Sequence, residues 1–135
     1  MEDYIKVFIP LNDIRGEWVW ATKTKEHQAE VCNIPFCTNK VSLGDIISYK
    51  YIPDQGLTFV KRIKRVTKNV VIRYKSNSDE EGKNNYAKIA KHCLSKGMKC
   101  EGAMPGIIAI AYPAKLKLKE LDSALDEIKD LFVLN

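Results

Sequence analysis

No stretch of this 135-residue chain approaches the roughly 20 consecutive apolar residues that span a bilayer. The amino terminus, MEDYIKVFIPLND, lacks the basic start and small-residue cleavage site of a secretory signal. The chain is therefore read as cytoplasmic, with no membrane partner. Glycine is sparse, and the one pair that could suggest a phosphate cradle, Gly102 and Gly106 around Ala-Met-Pro, is neither a Walker loop nor the opening of a Rossmann helix; a hairpin turn accounts for it.

Histidine and cysteine are also few, with two of the first and four of the second. Without an export signal, the cysteines are read as free thiols rather than a disulfide framework. Cys32 and Cys37 have four residues between them, including Pro35, and Cys93 and Cys100 have six, so no second pair of matching spacing completes a zinc knuckle. His92 adjoins Cys93 in a helical segment, where neighbours diverge by about 100°. A mixed site of Cys32, Cys37 and His27 is the remaining metal arrangement, and buried structural thiols are the simpler reading. No metal, cofactor or catalytic residue is nominated. Asp45, with no second acid placed near it, is assigned to accept backbone N–H bonds in a turn.

What the chain does have is 45% hydrophobic and 29% charged residues, the balance of a globular protein. A chain this long buries about two-thirds of its unfolded surface, enough for a core without staples. Its net charge of +5 is unevenly placed. Met1 to Val60 carries six bases and eight acids, Lys61 to Lys75 seven bases and no acid, and Ser76 to Asn135 nine of each. The whole excess lies in KRIKRVTKNVVIRYK, which would attract an acidic protein face or nucleic acid, or else serve as lysine protection of a strand edge.

The first half alternates like strands. YIKVFIP places Tyr4, Lys6 and Phe8 opposite Ile5, Val7 and Ile9, and EWVWATKT follows a turn at Asn12-Asp13 and Gly16. HQAEVCNI, IISYKYI and LTFVKRIKRV complete five short strands, the last two joined at Pro53-Asp54-Gln55-Gly56. Between the third and fourth, Pro35 holds Ile34 extended, Phe36 is expected to plug the barrel's end, and Asn39 and Gly44 turn the chain.

In the second half NVVIRYK is a strand. Tyr86, Ile89, Ala90, Cys93 and Leu94 share a helical face ended by Gly97, and Asp79, Glu80 and Glu81 suit its positive start. A strand near MKCEG and a turn at Met104-Pro105-Gly106 lead to IIAIAY, whose two faces are both apolar and so expected to be covered. Leu118, Leu121, Leu125, Ile128 and Phe132 step along a second helix, and LFVLN can finish as a strand. The fold class is α+β: residues 1–66 form a small β-barrel or curved antiparallel sheet, followed in residues 67–135 by a ferredoxin-like βαββαβ unit packed against it.

GEWVWA, CNIPFCTNKVSLGDIISYKY, GLTFVKRI and LSKGMKCEGAMPGIIAIAYP together resemble the bacterial domain of unknown function 4265 family. The shared pattern is a Trp-containing strand, Asn33-Ile34-Pro35-Phe36, Gly44-Asp45, Leu94 to Gly97, and Ile107 to Pro113. Val66-Thr67-Lys68 departs from the Ser-Gly usual after the basic strand. The resemblance supports the architecture and implies no activity.

These features favour a non-enzymatic protein-binding module, most concretely a bacterial immunity or antitoxin protein that neutralises a toxin by direct binding. Its partner would present an acidic surface to Lys61, Arg62, Lys64, Arg65, Arg73 and Lys75. Trp18 and Trp20 lie on one face of their strand; core packing is their default role and an interface anchor the alternative. The alternative function is a nucleic-acid-binding protein using Lys61 to Lys75 on phosphates. Simple alternation puts Arg62 and Lys64 on one face, without both Lys61 and Arg65.

Overall fold

In the computed structural model of the chain, residues 3–104 and 106–133 are described. By contact the chain divides into Met1–Lys68 and Asn69–Asn135. No helix among the described residues is long and apolar enough to cross a membrane.

The first unit is built from β1 (Tyr4–Pro10), β2 (Gly16–Lys25), β3 (Gln28–Val31), β4 (Ile46–Ile52) and β5 (Gly56–Lys64). Each strand pairs antiparallel with the next, and the row closes into a barrel where Phe8 of β1 meets Thr58 of β5 in parallel. The parallel seam follows from counting: an up-and-down row with an odd number of strands ends running in the direction it began. Period-two alternation sends Val7, Ile9, Val19, Ala21, Ala29, Val31, Ile47 and Tyr49 inward, where all are buried.

One end of the barrel is filled by the connection of residues 32–45. Val41, 0% exposed, packs into the barrel core from this connection, and Ile34 is also fully buried, whereas Phe36, the expected plug, is only partly buried. Pro35 restricts Ile34 to extended conformations, and the Phe36 N–H is committed to the Glu17 carboxylate at 2.6 Å, which fixes Phe36 beside the start of β2 rather than inside the barrel.

The second unit contains β6 (Thr67–Arg73) from Asn69 on, α1 (Asp79–Ser95), β7 (Lys99–Met104), β8 (Ile107–Pro113) and α2 (Leu118–Leu125), the last continued by a 3₁₀ turn over Asp126–Leu131. Its three-stranded sheet has the order β6-β8-β7. Ser78 caps α1 by accepting the Glu81 N–H at 3.1 Å, and acids fill the first turn. The helix ends at Gly97, whose φ of 76° needs glycine; the Met98 N–H then returns to the Cys93 carbonyl at 2.8 Å. Ile89 and Cys93 pack with Ile108, Ile110, Met98 and Leu121, and β8 is buried from Ile108 through Tyr112.

Three local expectations change. Leu94 is 69% exposed, because the apolar stripe of α1 is narrower than its sequence spacing suggests. The helix expected through Phe132 tightens to 3₁₀ after Leu125, where the run Asp-Glu-Ile-Lys-Asp-Leu leaves few apolar positions. In place of the expected final strand, the described residues form an isolated antiparallel bridge of Phe132 to Tyr74, flanked by bonds from the Lys75 N–H to the Leu131 carbonyl at 2.6 Å and the Val133 N–H to the Arg73 carbonyl at 3.1 Å. Leu134, Asn135 and Pro105 of the expected turn lie outside the described residues.

Candidate functional site

The outer face of the barrel over β1 and β2 carries the largest aromatic side chains. Register pairs Phe8 with Trp18 and Lys6 with Trp20 across the two strands. The Phe8 and Trp18 rings are tilted at 57° with centroids 5.2 Å apart, and the Lys6 ammonium sits 5.0 Å over the Trp20 ring. Trp18 is 49% exposed and Trp20 50%, so neither is a core residue. The inward positions between and beside them belong to the small Val19 and Ala21. A barrel this narrow has room for those but not for indoles.

The platform under these rings is held closely. Gly16 lies beneath Phe8, where a Cβ would fall 2.1 Å from the ring and 2.8 Å from the Ile9 carbonyl oxygen, so no larger residue fits without displacing both. The Trp20 N–H donates to Asn33 Oδ1 at 2.6 Å and its carbonyl accepts the Cys32 N–H at 2.8 Å. Glu17 turns its carboxylate to the next segment, accepting the Phe36 and Cys37 N–H groups at 2.6 and 2.8 Å. These charge-assisted bonds tie the 32–45 connection to the edge of the tryptophan strand.

The connection ends at Asp45, which is 0% exposed. One oxygen accepts the Ser42 N–H at 2.8 Å. Burial raises its pKa, outweighing the opposing Ser42 bond and the charges of Arg65 and Arg62. Asp45 thus has the turn role expected for it. Asn39 and Gly44 also turn the chain, Gly44 at φ 82°.

The basic segment is divided among environments. Two bulges in β5 reset the alternation: Lys61 pairs with Ser48, Arg62 with Ile47 and Lys64 with Ile46. Lys61 and Lys64 therefore share the outer face and Arg62 stands on the core-facing side at the barrel's end, the reverse of simple alternation. Arg65 is partly buried and donates to the Asn39 carbonyl at 3.3 Å, serving the connection rather than the surface. Arg73, in β6, and Lys75 belong to the second unit and are exposed.

The thiols fall into unlike settings. Cys32 lies 3.1 Å from the Thr22 hydroxyl, Cys37 is exposed, and Cys93 is buried with its pKa pushed up to about 12, chiefly by burial and then by neighbouring Cys100. Burial thus keeps Cys93 a protonated thiol at neutral pH, which makes it a packing residue and a poor nucleophile. Among the described residues no three His, Cys, Asp or Glu side chains gather as a metal would require. His92 donates from Nε2 to the Ala124 carbonyl, fastening α1 to α2.

Lys6, Phe8 and Glu17 escaped the sequence reading as site residues. The hairpin across Asn12 to Gly16 was the available signal, since its register sets Phe8 opposite Trp18.

A crystal structure described as a hypothetical protein from Neisseria gonorrhoeae is similar, with a TM-score of 0.65 and 19% identity over 96% of this chain and 88% of that one, a likeness of fold. No curated protein matches. The family model described as Domain of unknown function (DUF4265) matches residues 17–134, from the carboxylate that anchors the connection to the segment after the closing bridge, and the chain belongs to that family.

Proposed function

We propose that this chain is a protein-binding module whose contact surface is the outer face of β1 and β2, acting as a bacterial immunity or antitoxin protein that covers a toxin domain. The supporting observation is the pair of half-exposed tryptophans at one strand's outer positions, braced by Phe8 and capped by Lys6. Tryptophan held rigid at a surface is the residue type that dominates binding hot spots, since it buries a large area while losing little rotamer freedom. Lys61 and Lys64 extend the same outer side on β5, the strand adjoining β1, so the partner's complementary face would be acidic.

The nucleic-acid alternative is weaker, because the bulges separate Arg62 from Lys61 and Lys64, and Arg65 is committed to Asn39. The order β6-β8-β7, with Phe132 bridging on the other edge of β6, supports reading the second unit as ferredoxin-like.

Co-expression with the product of the neighbouring gene tests the function. The expected result is a stoichiometric complex and relief of any toxicity, with Trp18→Ala and Trp20→Ala each weakening binding by about 2 kcal/mol or more while leaving the fold intact. A complex indifferent to both substitutions would refute this surface, and no complex at all would refute the function.

A further inference from the structure

The end of the barrel opposite the plug opens on a cavity of 320 Å³ lined by Ile5, Lys23, Glu26, His27, Tyr49, Tyr51 and Leu57. We propose that this mouth binds a small organic anion with a flat apolar body, of which an aromatic carboxylate is the simplest form. The site is separate from the tryptophan surface and does not depend on the protein-binding reading.

Three features carry the proposal. Ile5, Tyr49 and Leu57 belong to or pack against the barrel core, so the cavity floor is an apolar continuation of the interior. Its size sits at the low end of the range for ligand pockets, and the mouths of β-barrels are among their recurrent places. That volume suits one ring system rather than an extended chain.

The second feature is the position of Lys23. Val19, Ala21 and Lys23 occupy successive inward positions of β2, and Lys23 pairs with inward-facing Ala29. A base thus stands where alternation calls for a core residue, and its ammonium forms no ion pair among the described residues. Glu26, the nearby acid, lies 3.5 Å from His27 Nε2. The cavity therefore has an apolar floor and, at its exposed edge, an ammonium with no ion-pair partner among the described residues, and Glu26 is turned to His27 instead; this is a combination that can receive an apolar anion.

The third is His27. It occupies the Glu26-His27 hairpin turn with φ 63°, the one positive-φ residue other than glycine among those described. Glycine or asparagine would relieve that conformation. The imidazole, 71% exposed, lines the cavity edge-on to Tyr49 with centroids 6.3 Å apart, while the His27 carbonyl accepts the Tyr49 N–H at 3.0 Å. A strained backbone carrying a polar ring at a cavity rim is an arrangement seen at ligand clamps.

The test is an NMR titration of the ¹⁵N-labelled full chain with benzoate, alongside benzyl alcohol and benzylammonium. The expected result is saturable shifts of the Lys23, His27, Tyr49 and Leu57 amides in the millimolar range, with affinity falling from benzoate to the alcohol to the ammonium ion. Lys23→Met should weaken benzoate about tenfold, the scale of a lost charge-assisted contact. His27→Gly, which suits the turn's backbone, should weaken it too and decides the matter should Lys23→Met fail to fold. Shifts that do not saturate, shifts centred on Trp18 and Trp20, benzylammonium binding as tightly as benzoate, or unchanged affinity in the folded variants would each overturn the proposal.

Discussion

At the end of the barrel where β3 leaves and β4 enters, residues 32–45 fold back into the opening and bring Ile34 and Val41 to full burial; at the other end the connections are short turns at Glu26-His27 and Pro53-Gln55, and a cavity remains. The contrast shows what filling a barrel end requires. A long connection brings buried peptide groups that must find partners. Glu17, Asn33, Asp45 and Arg65 supply them by taking up the N–H groups of Trp20, Phe36, Cys37 and Ser42 and the carbonyl of Asn39. A short turn satisfies itself, so among the described residues the open end has no such apparatus, and Lys23 stands there without an ion pair.

Substitutions at the two ends should differ accordingly. Glu17→Ala removes both acceptors of the Phe36 and Cys37 N–H groups, and a loss of about 2–4 kcal/mol is expected in urea denaturation. Unchanged stability would mean that the plug is held by its apolar residues alone.

Asp45→Asn gives a smaller effect with a definite pH signature. The substitution can keep an oxygen for the Ser42 N–H and removes a carboxylate whose charged form burial disfavours. The variant should be the more stable at neutral pH. Because the folded-state pKa of Asp45 is raised, the native protein binds this proton more tightly than the unfolded chain, so the wild type gains stability as pH falls through that raised value. The gain is complete below the ordinary 3.8, where the variant's advantage should have vanished. Denaturation curves of both proteins over this range would detect the opposite slope if Arg65 and Arg62 dominated instead.

Lys23→Met at the open end should change stability least, within about 0.5 kcal/mol, since it breaks no ion pair among the described residues. A large loss would show that this end, too, depends on a polar anchor.

Much of the fold was legible in sequence because breakers separated strongly alternating runs. Asn12-Asp13, Gly16 and Pro53-Gly56 delimited β1, β2, β4 and β5, and Gly97 marked the end of α1. The site was less legible. Trp18 and Trp20 have the composition of core residues, and the neighbouring Val19 and Ala21 occupy the interior because its width excludes indoles. The bulges that bring Lys61 and Lys64 to one side leave no mark in the run KRIKR, since an extra residue in one strand is defined by what its partner lacks. Glu17 reads as an ordinary strand carboxylate until the chain returns to it at Phe36.

From the sequence alone follow the two-part α+β organisation, the strand-rich first half, the inward rows of apolar residues, the acidic start of α1 and its end at Gly97, and the family membership that the ordered motifs signalled. These are properties of local pattern, expressed within a few residues of chain. Tertiary structure decided which aromatic rings meet solvent, which residues plug one end of the barrel, and that the other end stays open with Lys23 in its inner row. Such outcomes depend on the width of a closed sheet and on groups far apart in sequence, so no window of neighbouring residues contains them.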